Sequence, residues 1–277
     1  MAIVGVSLID GTICPSHEPE YDGQPLSYYL SSLTYSQVRL ERSARDAILD
    51  IGSNAVPYLI KILDARESRF KMWFNELADR QSFIRFRFAP LVNRQIQAAM
   101  ACQELGPVAA PAIPSLARLV DSPQLGFLAV AALAEIGPQT FPLLTNALNS
   151  PCASTRFAAV GHLRLVRPRE RAWPPLLAAL HSSESHMRTL AAESLGALEL
   201  PSTEVVAALT ASLDDPDHNV RINAARSLGW YRSAASNSVN KLLALHRSLS
   251  AGPAQQRVAE ALSSINPAMA EQEGISK

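Results

Sequence analysis

Apolar residues are grouped along the chain into segments of two alternating kinds, one rich in Ala and one rich in Leu. The Ala-rich segment usually ends in Leu or Ile followed by Gly, and a short turn, often with Pro, connects it to the Leu-rich segment. Both kinds favour helices, since Ala and Leu are the best apolar helix formers. The pattern therefore predicts helical pairs, at residues 44–64, 97–121, 128–148, 155–180, 187–215 and 220–249, and a single last helix at 255–265.

The pairs recur with a nearly constant period. The positions that end the first helix of a pair lie 31, 29, 30 and 33 residues apart, at 106, 137, 166, 196 and 229. Gly at such a position can adopt the left-handed conformation that terminates a helix, and Pro fits the first turn of the next helix. Neither helix of a pair can bury its apolar stripe alone, so the pairs are expected to stack. The repeat predicts an all-α fold, a right-handed α-solenoid (superhelix) of about six helical hairpins plus a capping helix.

This solenoid is expected to span residues 25–265, between an irregular N-terminal tail (1–24) and a C-terminal tail (266–277). Its core should be continuous, with Leu195 and Leu228 buried, because each precedes the Gly that ends a first helix. The composition agrees with this class. The chain has 42 Ala and 36 Leu but only 6% aromatic residues, whereas a β-sandwich would need more β-branched and aromatic side chains.

The segment DDPDHNVRINAARSLG (214–229) resembles the HEAT-repeat family, including the bilin-lyase-type HEAT-like repeats. Asp217 and Arg221 stand at that family's usual acid and Arg positions. The same spacing recurs at Glu184 and Arg188, and Arg156 is equivalent one repeat earlier. The resemblance implies that these residues form a ladder joining adjacent repeats, incomplete where Cys152 replaces the first acid.

A second similarity connects residues 20–33, the segment 67–90 and the following residues 95–116 with a group of bacterial HEAT-repeat proteins. This group implies no activity that can be carried over. Some of its members begin with a membrane anchor, whereas no apolar run in this chain reaches the roughly 18–20 residues that a membrane span needs. The expected location is the cytoplasm, or an extracytoplasmic or anchored one if the natural N-terminus is longer.

One insert interrupts the repeat. Gly52 and Gly106 lie 54 residues apart, which leaves some 23 extra residues at 67–90, rich in Phe, Trp and Arg. Within it, IRFRF (84–88) alternates strictly, as an extended segment with one buried face does. The aromatic residues either anchor the insert or form a recognition element, because aromatic and Arg side chains dominate interface hot spots. They are too many for a solvated linker, so at least Trp73 and Phe86 are expected to be packed. The candidate partner-binding residues of the insert are Arg69, Trp73, Arg85 and Arg87.

A second candidate is the basic turn, which we define as Arg164, Arg167, Arg169 and Arg171 within HLRLVRPRERAW (162–173). Residues 151–181 hold five Arg and one Glu, a net charge of +4. Four clustered guanidinium groups could hold phosphate or carboxylate groups. The alternative is a turn whose arginines face only water.

The exposed side of the second helices is the third candidate. Its predicted positions form a mixed row that suits a protein or peptide better than a polyanion: Tyr58, Lys61, Ser115, Arg118, Asn146, Ala178 and Ala211. We take Lys61, Arg118 and Asn146 as candidate partner-binding residues. The chain has 25 basic and 25 acidic residues, and this zero net charge disfavours nucleic acid as a partner.

No sequence motif indicates catalysis. The chain contains no GxxxxGK, GxGxxG, GxSxG or HExxH, and its three cysteines have no metal-ligand spacing. We therefore predict no catalytic residue, no cofactor and no metal site. The favoured function is a non-enzymatic scaffold or adaptor that binds a protein or peptide through the solenoid surface and the insert. The alternative is a nucleic-acid-binding protein like the HEAT-like DNA glycosylases, or a bilin-lyase-like enzyme or helper.

Overall fold

The computed structural model describes residues 18–33, 42–80, 90–199 and 202–275. The chain divides into two compact units, Met1–Leu116 and Ala117–Lys277. In the described part of both units the regular structure is helical, apart from a hairpin of two short strands near residue 20. The predicted all-α helical-repeat class, an α-solenoid, is confirmed.

The first unit begins with the antiparallel strands β1 (Glu20–Tyr21) and β2 (Gln24–Pro25). Its helices are α1 (Leu26–Ser32), α2 (Arg42–Ile51), α3 (Val56–Asp64), α4 (Arg69–Arg80) and α5 (Leu91–Leu105). Helices α1, α2 and α3 all pack against α5. Their shared core includes Leu26, Ile48 and Leu59, each fully buried. Helix α6 (Ile113–Leu119) contains the chain position at which the two units divide.

The second unit repeats one helical pair. Its first helices are α7 (Gly126–Ile136), α9 (Ala153–Leu163), α11 (Ser185–Leu198), α13 (His218–Tyr231) and α15 (Pro253–Ile265). Its second helices are α8 (Phe141–Ala147), α10 (Trp173–Ala179), α12 (Thr203–Ala211), α14 (Val239–Ser248) and α16 (Pro267–Gln272). Each first helix packs on the next first helix, and α8, α10, α12 and α14 pack on the first helix that follows them. Leu195 and Leu228 are fully buried in this stack, so the predicted repeat register is confirmed.

The glycines at the repeat period have two different roles. Gly52, Gly106 and Gly137 have φ values of 57°, 54° and 135° and end their helices as predicted. The same prediction is wrong for Gly196 and Gly229, because α11 and α13 continue two residues past them.

Close packing explains these two internal glycines. A Cβ atom on Gly196 would lie 2.5 Å from Cβ of Ser227 in α13. A Cβ atom on Gly229 would lie 3.0 Å from Cα of Ala261 in α15. Both distances are short for carbon atoms, so these glycines let neighbouring first helices approach each other closely.

The segments predicted as tails contain more structure than expected. The N-terminal one includes β1, and the hydroxyl of Tyr29 in α1 donates a hydrogen bond to the carbonyl of Tyr21 at 2.9 Å. The C-terminal one contains α16, whose first turn is capped by the side chain of Asn266, which accepts from the backbone N–H of Met269 at 3.1 Å. Ala270 of α16 is buried and the helix packs on α15, so α16 belongs to the repeat stack.

Candidate functional site

Three arginines at the starts of successive first helices form the arginine ladder, which we define as Arg156, Arg188 and Arg221. Each places Nη1 on two backbone carbonyls five and six residues earlier, at distances of 2.7 to 3.2 Å. Arg156 also pairs with Glu184 of the next repeat at 2.6 Å. The ladder therefore ties each helix start to the preceding turn, as the family resemblance implied.

The strongest rung joins Arg188 to Asp215 of the next repeat. Nε and Nη2 of Arg188 donate to the two carboxylate oxygens of Asp215 at 2.8 and 2.9 Å. The two side chains are only 13% and 11% exposed. The hydrogen bond from Arg188 lowers the pKa of Asp215 against the opposing effect of burial, and Asp215 raises the pKa of Arg188 in turn.

Asp217, which stands at an acid position of the family motif, caps a helix. Its carboxylate caps α13 by accepting from the backbone N–H groups of Asn219 at 2.8 Å and Val220 at 3.3 Å. Burial raises its pKa, but these backbone hydrogen bonds and one with the side chain of Ser185 outweigh that effect, and the net pKa is lowered. The acid that pairs with Arg188 is therefore Asp215, and Asp217 contacts the preceding repeat through a hydrogen bond with the side chain of Ser185 in α11.

The basic turn lies between α9 and α10. Arg164, Arg167 and Arg171 are exposed, and Arg169 is half-buried. The guanidinium carbon of Arg171 lies 4.8 Å from the ring centroid of Phe141 in α8, a cation–π contact. Nη1 of Arg169 donates to the carbonyl of Leu198 at the end of α11 at 3.2 Å.

No acidic side chain among the described residues forms an ion pair with any arginine of the basic turn. Beside the turn, burial and, second, the charge of Arg164 lower the pKa of His162. The turn therefore presents a local positive charge that no ion pair within the described part of the chain neutralises.

The insert forms helix α4 over its first half. Phe70, Met72 and Trp73 on α4 are 58%, 51% and 57% exposed, and we call them the aromatic face of α4. The ring centroids of Phe70 and Trp73 lie 6.0 Å apart. The expectation that Trp73 is packed is therefore wrong. Arg69, the first residue of α4, is exposed as well, whereas Arg85, Phe86 and Arg87 lie outside the described residues.

Polar contacts with α5 hold the chain at both ends of the insert. A carboxylate oxygen of Glu67 accepts from the backbone N–H of Leu91 at 3.1 Å. The side-chain amide of Gln95 donates to the carbonyls of Leu63 and Ala65 at 3.0 and 3.2 Å. These bonds fix both ends of the insert, and Trp73 is not needed as an anchor.

The row predicted on the second helices is partly exposed. Lys61, Arg118 and Asn146 are exposed, as are Ala178 and Ala211. Tyr58 and Ser115 are 5% and 4% exposed, so their prediction as surface positions is wrong. Both side chains are buried instead. Burial is the main cause that raises the pKa of Tyr58.

One surface cluster was not predicted from the sequence. Trp230 of α13 is exposed, and the guanidinium carbon of Arg226 lies 5.1 Å from its ring centroid. Arg226 pairs with Glu193 of α11 at 2.9 Å. The acid and the arginine lie 33 residues apart, which is one repeat, and this spacing is the signal that would have found the pair. Its charge is already neutralised within the protein.

The described part of the chain contains no group of three or more His, Cys, Asp and Glu side chains placed to hold a metal ion. Among its helices, none is both long enough and apolar enough to cross a membrane.

The fold and these surfaces define an all-α protein built from stacked helical pairs, a class whose typical role is to present extended surfaces for protein interaction. Residues 174–263 match the family model of HEAT repeats, in agreement with the resemblance found in the sequence. In the comparison with curated protein sequences, no match was found.

Solved structures share the fold. YibA from Escherichia coli is similar with a TM-score of 0.56 and 12% identity, over 89% of this chain and 85% of that one. The Kap95:Nup1 complex gives a TM-score of 0.52 and 12% identity, over 90% of this chain and 39% of that one. The complex of CpcE and CpcF of phycocyanin lyase from Nostoc gives a TM-score of 0.41 and 20% identity, over 89% and 97%. For YibA and the Kap95:Nup1 complex, the likeness at 12% identity concerns the fold alone.

Proposed function

We propose that this protein is a non-enzymatic scaffold that binds a protein or peptide partner, and that the aromatic face of α4 is a principal docking surface. The observation that carries the proposal is the exposure of Phe70 and Trp73, at 58% and 57%, on a helix that the repeat does not require. Burial of a large aromatic side chain contributes considerable stabilising free energy, which an exposed side chain does not provide. Their exposure is accounted for when a partner covers them.

The chemistry of α4 fits an interface. Trp and Arg are enriched among the residues that contribute most to binding energy, and Arg69 is exposed at the start of the same helix as Trp73. Arg80 at the other end pairs with Glu76 at 2.7 Å, which keeps that end polar. An apolar centre with polar ends is the usual composition of a protein interface.

Hydrogen bonds that hold the insert in place also support the proposal. Glu67 and Gln95 hold the ends of the insert by hydrogen bonds to the backbone. A helix held in this way presents its side chains without having to order a loop on binding, which reduces the entropic cost of association.

The test uses peptides selected by display against the immobilised full-length protein. Selected peptides are then titrated by calorimetry into wild type and into a Phe70→Ser plus Trp73→Ser variant. Loss of two central apolar contacts should weaken binding about ten-fold or more. The matched control is Leu49→Ser plus Val108→Ser, two residues of the same unit that are 46% and 45% exposed.

Circular dichroism must show that each variant keeps the helical content of wild type. Peptides that bind the α4 variant as tightly as wild type would contradict the proposal, and so would an equal loss in the control variant.

A further inference from the structure

We propose that the basic turn is a second recognition site, one that binds an acidic peptide segment carrying an apolar side chain next to its carboxylates. This inference rests on the proposed function, since it names the chemistry of one partner segment. It concerns a different surface from the aromatic face of α4, and the two can fail separately.

The first argument is unneutralised charge. Elsewhere in the second unit, Arg156, Arg188, Arg226 and Arg247 have acidic partners at 2.5 to 2.9 Å, and Arg221 donates to two backbone carbonyls. Arg232 and Arg257 are exposed but stand singly in the sequence rather than in a cluster. In the basic turn, four arginines lie within eight residues, and none has an ion-pair partner among the described residues. Guanidinium groups form their strongest contacts with carboxylate or phosphate groups, frequently through two parallel hydrogen bonds. The turn lacks such an anion within the described chain.

The second argument is preorganisation. Arg171 is held over the ring of Phe141, and Arg169 is held by the carbonyl of Leu198 at 3.2 Å. These contacts reach helices on both sides of the turn, α8 before it and α11 after it, and they hold the turn in place. Arg164 and Arg167 remain exposed on this fixed base. A ligand that pairs with them orders two side chains rather than a whole loop, which lowers the entropic cost of binding.

The third argument concerns the kind of anion. Leu165 is 39% exposed and stands between Arg164 and Arg167 in the chain. An apolar side chain there gains little from a phosphate backbone, but it can contact an apolar residue of a peptide. The observed set, with a leucine beside two exposed guanidinium groups, matches an acidic segment with a Leu, Ile or Phe among its carboxylates.

The fourth argument is that the positive charge does not continue along the repeats. Arg156 and Arg188 of the neighbouring first helices are 19% and 13% exposed and are neutralised by Glu184 and Asp215. A duplex needs phosphate contacts along an extended basic surface. An isolated turn of eight residues suits a short acidic segment better than a nucleic acid.

The test is fluorescence anisotropy with the full-length protein at about 0.15 M salt, where long-range attraction is screened. The probe is a fluorescein-labelled peptide of Glu residues with one central Leu, and its control has Gln in place of Glu. We expect micromolar binding of the Glu peptide and a loss of about ten-fold or more in an Arg164→Glu plus Arg167→Glu variant. The control protein carries Arg232→Glu plus Arg257→Glu, which changes the same charge at two exposed arginines outside the turn.

A third variant separates charge from hydrogen-bond geometry. Arg164→Lys plus Arg167→Lys keeps the charge but removes the planar fork, and it should lose part of the affinity. Equal binding of the Glu peptide to wild type and to the Glu variant would overturn the proposal, as would equal loss in the two Glu variants. Tighter binding of labelled duplex DNA, abolished by the same turn variant, would replace it with nucleic-acid recognition.

The Phe70→Ser plus Trp73→Ser variant distinguishes the two proposals. It should bind the Glu peptide like wild type, because α4 lies outside the basic turn. If the Glu peptide fails to bind while display peptides still depend on α4, the acidic-segment proposal is wrong and the scaffold proposal stands.

Discussion

The arginine ladder and the basic turn both consist of arginines of the second unit, but they differ in exposure and in ion pairing. Arg188 of the ladder is 13% exposed and shares two hydrogen bonds with Asp215, in addition to two backbone carbonyls. Arg164 of the turn is exposed and has no acidic partner among the described residues. The difference comes from position within the repeat. The starts of α9 and α11 lie near acids of the next repeat, Glu184 and Asp215, whereas Arg164 and Arg167 in the turn after α9 are exposed.

This contrast separates arginines that stabilise the fold from arginines that remain available to a ligand. A half-buried guanidinium group needs an ion-pair or hydrogen-bond partner, because without one it would lose its hydration without compensation. An exposed one keeps its hydration and needs no partner for folding. Substitutions in the ladder and in the turn test this difference. Equal destabilisation by both, or by neither, would contradict it.

The largest expected effect concerns the core beneath the ladder. Leu228→Ala in α13 removes a fully buried side chain from the layer of first helices. We expect a loss of about 2–5 kcal/mol in the free energy of unfolding, from lost burial and a residual cavity. The measurement is urea titration followed by circular dichroism. Leu165→Ala in the turn is the control, and its effect should stay below about 0.5 kcal/mol because Leu165 is partly exposed. A loss below about 1 kcal/mol for Leu228→Ala would contradict the repeat register.

The next effect concerns the strongest rung of the ladder. Asp215→Asn keeps the shape of the side chain but removes the charge that pairs with Arg188. We expect a loss of about 1–2 kcal/mol at neutral pH, because a partly buried, charge-assisted pair is weakened and not wholly removed. Glu170→Gln is the control, since Glu170 is the exposed acid of the basic turn and should contribute less than about 0.5 kcal/mol.

The pH dependence gives this rung a separate signature. The pKa of Asp215 is lower in the folded protein than in the unfolded chain, since Arg188 donates to its carboxylate. Its contribution is fully present above the unfolded pKa of about 3.9 and is lost as the pH falls through the folded value. Wild type should therefore lose more stability than Asp215→Asn between about pH 5 and pH 2. Parallel curves for the two proteins would show that the rung contributes nothing.

Most of the fold was predictable because the repeat constrains it. Leu195 and Leu228 were correctly placed in the core from their position before a periodic Gly. The same period misled about Gly196, which was predicted to end a helix. Sequence spacing alone does not distinguish a glycine with a left-handed conformation from one against which Ser227 packs.

The surfaces were less predictable, for a physical reason. Whether Trp73 is buried depends on what else holds the insert, and that role belongs to Glu67 and Gln95, polar residues with no sequence signal. Asp215 and Asp217 differ by two residues and are both acids. Only the geometry of α13 shows that one is a ladder partner and the other a helix cap.

The smallest expected effect is the binding of duplex DNA to the basic turn. The chain has no net charge, and the ladder arginines beside the turn are neutralised, so few phosphates can be contacted at once. Because affinity for DNA falls steeply with salt when it rests on a few phosphate contacts, we expect weak or no binding at about 0.15 M salt. Fluorescence anisotropy with a labelled duplex measures this directly. Arg167→Glu plus Arg169→Glu serves as the matched variant, and it should leave the weak signal of wild type almost unchanged. Submicromolar binding by wild type that this variant abolishes would show that the turn is part of a larger basic surface. The exposed arginines of the turn would then serve to bind nucleic acid rather than an acidic peptide.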